Sequence, residues 1–220
     1  MTCWAKLFSG KKGGNTPMKI NLPNKLTMIR AFLVPFFAFF MIYPLFGREH
    51  IAWSRIFAAA IFILASITDF LDGKIARMKG LVTSFGKFMD PLADKFMIFA
   101  AILAITFSDF IFPAGQTLSQ GFLKSVFFWN ALIIIFRELM VTSLRLVVAG
   151  DSNIVIPANI WGKMKTVTQI VCVIVVLLEP ITINLGGFLS LAAILVSMFF
   201  TVFSGYIYIK GYWQYIDPTK

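Results

Sequence analysis

Cysteine and histidine are almost missing from this 220-residue chain, which has two of the former and one of the latter. Cys3 lies in a polar N-terminal stretch and Cys172 inside an apolar run, which excludes a disulfide framework and a cysteine-built metal site. With His50 the sole histidine, imidazole-based zinc ligation is excluded as well. Acidic residues are scarce too, ten against twenty Lys and Arg. There is no internal repeat and no low-complexity tract. What the chain has in excess is apolar surface: 59% hydrophobic residues, 25 Phe and a mean hydropathy of +0.83, more than a soluble domain of this size can bury. Lipid must be the solvent for most of it. The net charge of +10 sits in short clusters at the ends of apolar segments, not along a soluble face. That distribution argues against nucleic acid and for anionic headgroups and phosphate-bearing substrates.

Apolar runs of about 20 residues, the length a helix needs to cross the hydrocarbon core, recur along the chain. They predict an all-α integral membrane protein with six transmembrane helices, at roughly 25–46, 52–78, 84–107, 122–149, 159–179 and 187–210. Gly47-Arg48-Glu49-His50, Ser108-Asp109, Pro113-Ala114-Gly115, Gly150-Asp151-Ser152-Asn153 and Glu179-Pro180 supply the turn chemistry between them. Residues 1–17 are polar and lack an apolar signal core; they read as an N-terminal extension, or as a misassigned start with Met18 the true one. Residues 18–220 form the membrane domain. Lys and Arg gather in the N-terminal tail, the second and fourth connections and the C-terminus, while the third and fifth connections have none. The positive-inside rule then puts both termini in the cytoplasm, with Arg48 and Arg55 a mild exception on the first external connection.

Four of the ten acidic residues fall between Asp69 and Asp94, in segments that should exclude charge. Asp69 and Asp72 are spaced i, i+3, and Asp90 and Asp94 i, i+4, so each pair shares one helix face. The pairs are symmetric about residue 81, so a turn there brings all four to similar depth on two facing helices, near the cytoplasmic interface. Four ionised carboxylates at close quarters repel and call for protonation or for cations. Hard divalent ions suit an oxygen-only ligand set, Mg²⁺, Mn²⁺ or Ca²⁺ in preference to Zn²⁺, and two of them would balance the charge. Gly73, Ala76 and Gly86 beside the acids suit close approach of a ligand or, equally, ordinary helix packing.

Asp69-Phe-Leu-Asp72-Gly73-Lys-Ile-Ala76-Arg77, eight further residues, then Gly86-Lys-Phe-Met-Asp90-Pro-Leu-Ala-Asp94 resembles the CDP-alcohol phosphotransferase signature D-x-x-D-G-x-x-A-R-x8-G-x-x-x-D-x-x-x-D at every fixed position. The resemblance implies a six-helix membrane enzyme, in many members a homodimer, that transfers a phosphatidyl group from CDP-diacylglycerol and releases CMP. It further implies that Asp69, Asp72 and Asp90 hold a divalent metal pair, Mg²⁺ or Mn²⁺, and that Asp94 is the catalytic base and touches the second metal. Asp72, Gly73, Ala76, Arg77 and Gly86 would lie against the CDP. Asn24 either joins them or caps the first helix, and capping is the expectation for Thr27.

Arg137 and Arg145 are eight residues apart, about two turns and nearly one face, and Lys163 and Lys165 open the fifth segment. Basic side chains converging near the cytoplasmic end suit a phosphate, though Arg145 and the lysines would also serve as snorkelling topology anchors. The strings Asn21-Leu-Pro-Asn24-Lys-Leu-Thr27-Met-Ile-Arg30, Arg137-Glu138-x-x-Val141-Thr142-x-x-Arg145 and Gly162-Lys163-x-Lys165-Thr166 resemble bacterial phosphatidylglycerophosphate synthases. That resemblance implies glycerol 3-phosphate as acceptor, with Arg137, Arg145 and Lys163 as its phosphate clamp, on the cytoplasmic side of the cell membrane. Serine, inositol phosphate and phosphatidylglycerol are the alternative acceptors. A cation transporter, the competing class, would spread its acids across the bilayer and would gain nothing from Arg77.

Overall fold

The computed structural model describes residues 22–43, 50–79, 84–109, 111–112, 117–152, 160–183 and 185–213. For residues 22–24, 72–77, 79, 84–85, 87 and 149–152 it describes the backbone alone, and the 1–17 stretch, Arg48 and Pro113-Ala114-Gly115 lie outside it. Among the described residues there are six α-helices and no strand: α1 (Leu22–Ile42), α2 (Ile51–Lys79), α3 (Ser84–Phe107), α4 (Gln120–Ser152), α5 (Ile160–Thr182) and α6 (Phe188–Tyr212).

The packing is that of helices with no water to drive them together. Small or short residues point inward: Ala58, Ala59 and Ala65 of α2, Ala93, Ala101 and Ala104 of α3, and Ser190, Ser197, Thr201, Ser204 and Gly205 of α6 are all buried. They let helix axes approach closely where hydrocarbon outside is as apolar as any side chain. Large apolar residues point outward; Phe107 is 75% exposed and Phe136 71%. A protein in water would invert this, so the outer surface is built for lipid. By length and composition α1, α2, α5 and α6 can cross a membrane. In α3 and α4 charged residues interrupt the apolar run, Asp90, Asp94 and Lys95 in the one and Arg137, Glu138 and Arg145 in the other.

Inside the bundle α1 is a wedge. It packs on both α2 and α3, burying Val34, Phe37 and Met41, with the Phe37 ring 5.5 Å from that of Phe62. The sequence reading has α2 and α3 facing each other directly. Among the described residues they do not pack closely on one another, because α1 fills the space between them. The second half is an α4–α6–α5 layer that joins the first mainly where α5 lies on α2.

At one end of the bundle the connections meet. The Leu118 amide donates to the Gly186 carbonyl at 3.0 Å, and a Cβ on Gly186 (φ 67°) would come within 2.4 Å of Thr117 Oγ1. Glycine is required there both by the left-handed backbone and by the close approach. Arg55, the exception to the charge rule, is buried at this same end and donates to the Ile111 carbonyl at 2.8 Å, so it acts as an internal brace and not as a topology signal.

Glu179-Pro180, expected to break the chain, instead lies inside α5, which runs on to Thr182. Pro180 falls in the last turn, where its missing N–H removes only one intrahelical bond. Glu179 turns across to the start of α6 and accepts from the amides of Gly187 (3.0 Å), Leu189 (3.3 Å) and Ser190 (2.8 Å) and from the Ser190 hydroxyl. A buried carboxylate from one helix thus satisfies the orphan donors of the next.

Candidate active site

The signature residues lie along the last turns of α2 and the first turns of α3, away from the brace at Arg55. Asp69 is half-buried and forms an ion pair with Arg30 of α1, whose side chain is fully buried. Asp90 is exposed on α3 and accepts a hydrogen bond from Thr27 Oγ1 of α1 at 2.8 Å. α1 begins at Leu22, so neither Asn24 nor Thr27 stands at its N-cap. The capping expectation for Thr27 is therefore replaced by a contact: its hydroxyl is buried one turn below Arg30, and each reaches a carboxylate on a different helix.

Asp94, one turn on from Asp90, points to the other half of the bundle. Its Oδ1 is buried with no hydrogen-bond partner among the described residues. It lines a narrow cleft with Lys95, Ile98, Phe99, Glu138, Lys165, Thr166 and Gln169. The charges of Asp69 and Asp90 act on each other, as do those of Asp69 and Asp94, so the three acids share one electrostatic neighbourhood although α1 separates their helices. Pro91, within the signature, leaves the carbonyl four residues back without its helical donor. Gly86 is buried on the first turn of α3. Asp72, Gly73, Ala76 and Arg77 continue α2 toward the connection, and their side chains lie outside the described part, as does that of Asn24.

No three His, Cys, Asp or Glu side chains converge among the described residues, which do not include the Asp72 side chain. The oxygen-only donor set and the orphan Asp94 Oδ1 fit a hard divalent cation. Arg30 and Thr27 take up the facing oxygens of Asp69 and Asp90.

The basic residues divide. Arg137 is buried, donating to Glu138 Oε1 at 3.0 Å and to Ser204 Oγ of α6 at 2.6 Å. Arg145 is exposed two turns on and donates to the Tyr208 hydroxyl at 3.0 Å. Lys163 is exposed on the first turn of α5. Lys165, two residues further and so on the opposite side of the helix, is buried and ion-paired with Glu138. Glu138 thereby holds Arg137 and Lys165 together, and Lys95 ties α3 to α4 through the Thr142 hydroxyl at 2.5 Å. Sequence reasoning gave no role to Arg30, which the structure brings to Asp69; Lys165, expected among the phosphate-facing or snorkelling cations, instead turns inward to Glu138 beside Asp94. The available signal was that Thr27 and Arg30 are polar and spaced i, i+3 in an otherwise apolar helix, the same spacing as Asp69 and Asp72.

The family model for CDP-alcohol phosphatidyltransferases matches residues 20–203. A CDP-diacylglycerol–glycerol-3-phosphate 3-phosphatidyltransferase of Bacillus subtilis (strain 168) is 40% identical over 207 residues, 91% of this chain and 99% of that protein. A probable phosphatidylglycerophosphate synthase of Mycobacterium tuberculosis (strain H37Rv) is 36% identical over 192 residues, 86% of this chain and 80% of that protein. A third relative, from Rickettsia bellii (strain RML369-C) and with the same name as the first, is 33% identical over 207 residues, 90% and 99% of the two chains.

Proposed function

The chain belongs to the CDP-alcohol phosphatidyltransferase family, and we propose that it transfers the phosphatidyl group of CDP-diacylglycerol to glycerol 3-phosphate, giving phosphatidylglycerophosphate and CMP. The observation that carries the chemistry is Asp94: a carboxylate with one buried oxygen that has no hydrogen-bond partner among the described residues, in a cleft shared with Lys165. Such an oxygen is placed to take a proton from a hydroxyl. The acceptor oxygen bonds to the lipid-bearing phosphorus as the bond from that phosphorus to the CMP phosphate oxygen breaks in line, and the proton passes to Asp94.

Asp69, Asp72, Asp90 and Asp94 would hold the divalent metal, Mg²⁺ or Mn²⁺ and two ions on charge balance, which when bound stabilises negative charge on the phosphoryl oxygens and the departing CMP. Arg30 and Thr27 orient Asp69 and Asp90 from the α1 side. Asp72, Gly73, Ala76, Arg77 and Gly86, with Asn24, lie along the CDP. Arg145 and Lys163, both exposed, would grip the acceptor's phosphate, with buried Arg137 supporting them. That demand for cations favours a phosphomonoester over serine, and the names of the relatives favour glycerol 3-phosphate over inositol phosphate.

Residues 18–220 are then one membrane domain with six spans, α3 and α4 carrying the polar site, and with both termini and the active site on the cytoplasmic side of the cell membrane. The meeting of the third and fifth connections at one end, with Arg55 braced there, supports that alternation. A homodimer is the expected assembly. The test is CMP release from purified protein in detergent micelles, supplied with CDP-diacylglycerol, Mg²⁺ or Mn²⁺, and one acceptor at a time. Release that requires glycerol 3-phosphate and metal is expected. Release with serine or inositol phosphate alone would replace the acceptor and keep the reaction class.

A further inference from the structure

Tyr208 of α6 belongs to no motif, yet it stands where three helices carrying basic residues meet. It is 3% exposed and packs with Val141, Leu144 and Val148 of α4. The guanidinium carbons of Arg137 and Arg145 are each 5.4 Å from its ring centroid. Its hydroxyl accepts from Arg145 Nη2 at 3.0 Å. On α5, a Cβ at Gly162 would lie 3.4 Å from the same hydroxyl, so the turn that begins with Lys163 rests against the phenol.

Two guanidinium groups near one another repel, and on α4 alone nothing but helical spacing relates them. An aromatic ring in reach of both attracts each through its quadrupole and offsets part of that repulsion. Arg137 has committed its two terminal nitrogens to Glu138 and Ser204. Arg145 gives one to Tyr208 and makes no other hydrogen bond among the described residues, so the rest of its donor fork faces outward.

We propose that Tyr208 is a positioning residue for phosphate recognition: its ring and hydroxyl hold Arg145 beside Arg137 and set the close approach of α5, so that the Arg145 fork and Lys163 present to one phosphate group. This rests on the glycerol 3-phosphate reading above. The phosphate is the acceptor's; Tyr208 touches neither the reacting phosphorus nor the acceptor hydroxyl.

The test is steady-state kinetics on wild type, Tyr208→Phe and Tyr208→Leu, varying each substrate in turn, with inorganic phosphate as a competing anion. Tyr208→Phe keeps the ring and loses the hydrogen bond, and should raise the apparent KM for glycerol 3-phosphate by about 3- to 10-fold. Tyr208→Leu loses both and should raise it by roughly 10-fold or more. The KM for CDP-diacylglycerol should stay within about 2-fold, and inhibition by phosphate should weaken by the same factor as the acceptor KM. Tyr206→Leu, on the exposed side of α6, should change neither. A folded Tyr208→Leu with an unchanged acceptor KM, or with both KM values raised equally, overturns the proposal. If the Leu variant does not fold, an unchanged acceptor KM in Tyr208→Phe overturns it. Wild type that releases CMP only with an acceptor lacking phosphate overturns the substrate reading itself, which a defect confined to the variants does not.

Discussion

Arg30 and Asp69 form an ion pair between α1 and α2 in which the guanidinium is wholly buried while the carboxylate side chain keeps 35% of its surface open. The acidic cluster therefore has a fixed cation built into one side and an open side toward a ligand. This arrangement opposes a cation pathway, since a permanent guanidinium at the acids would repel a passing ion.

Arg30→Gln should make the protein more dependent on divalent metal. Removing the guanidinium leaves Asp69 beside Asp90 and Asp94 without its counter-charge, and breaking such a pair from one side is costly. The metal-free Tm in detergent should fall by roughly 5 °C or more. Added Mg²⁺ should then raise it by more than in wild type; an equal metal-induced rise in both would separate Arg30 from the metal-binding cluster.

Asp94→Asn should lower kcat by at least about 100-fold, the scale of a lost general base, while CDP-diacylglycerol still binds. Amide and carboxylate are nearly isosteric, so the cleft with Lys165 and Glu138 should persist. Turnover measured beside equilibrium binding of the lipid nucleotide tests this, and near-normal turnover would remove the assignment of Asp94 as base.

Lys163→Ala and Lys165→Ala should fail differently. Lys163 is exposed, so its loss should raise the acceptor KM by about 10-fold with little change in Tm. Lys165 is buried on Glu138, so its loss leaves that carboxylate with Arg137 alone and should lower Tm. Kinetics and thermal unfolding on both variants would show the split, and the same pattern in each would refute it.

Glu179→Gln should destabilise the α5–α6 hairpin by about 2 kcal/mol without touching substrate affinity. The carboxylate accepts from three amides and a hydroxyl at the start of α6, and an amide can serve fewer of them. Thermal unfolding with KM values measured in parallel would distinguish this from an effect on the site.

Much of the fold was legible because lipid imposes a simple rule: a run of apolar residues about 20 long forms a helix, since its backbone has no other way to be satisfied. Each observed helix overlaps its expected span, and the ends differ by a few residues. The misreading of Glu179-Pro180 shows where the rule stops. Proline punctuates a sequence, but whether the helix ends there depends on whether a neighbour takes up the freed groups, and here α6 approaches closely enough for Glu179 to bridge the two helices.

The candidate site divides in the same way. The spacings of Asp69, Asp72, Asp90 and Asp94 are local facts, because helical periodicity alone decides which residues share a face; that the chain is helical, suited to lipid and acidic at this one place follows from the sequence itself. Which residues meet those acids is not local. Thr27 lies 63 residues from Asp90, Arg30 lies 39 from Asp69, and Tyr208 lies 63 from Arg145. Only tertiary structure decided that α1 would wedge between α2 and α3, that Lys165 and not Lys163 would turn inward, and that one tyrosine would face two arginines. The physical reason is that helix–helix packing in lipid depends on which small residues let which axes come close, and a pattern read along one helix does not name the helix that will lie against it.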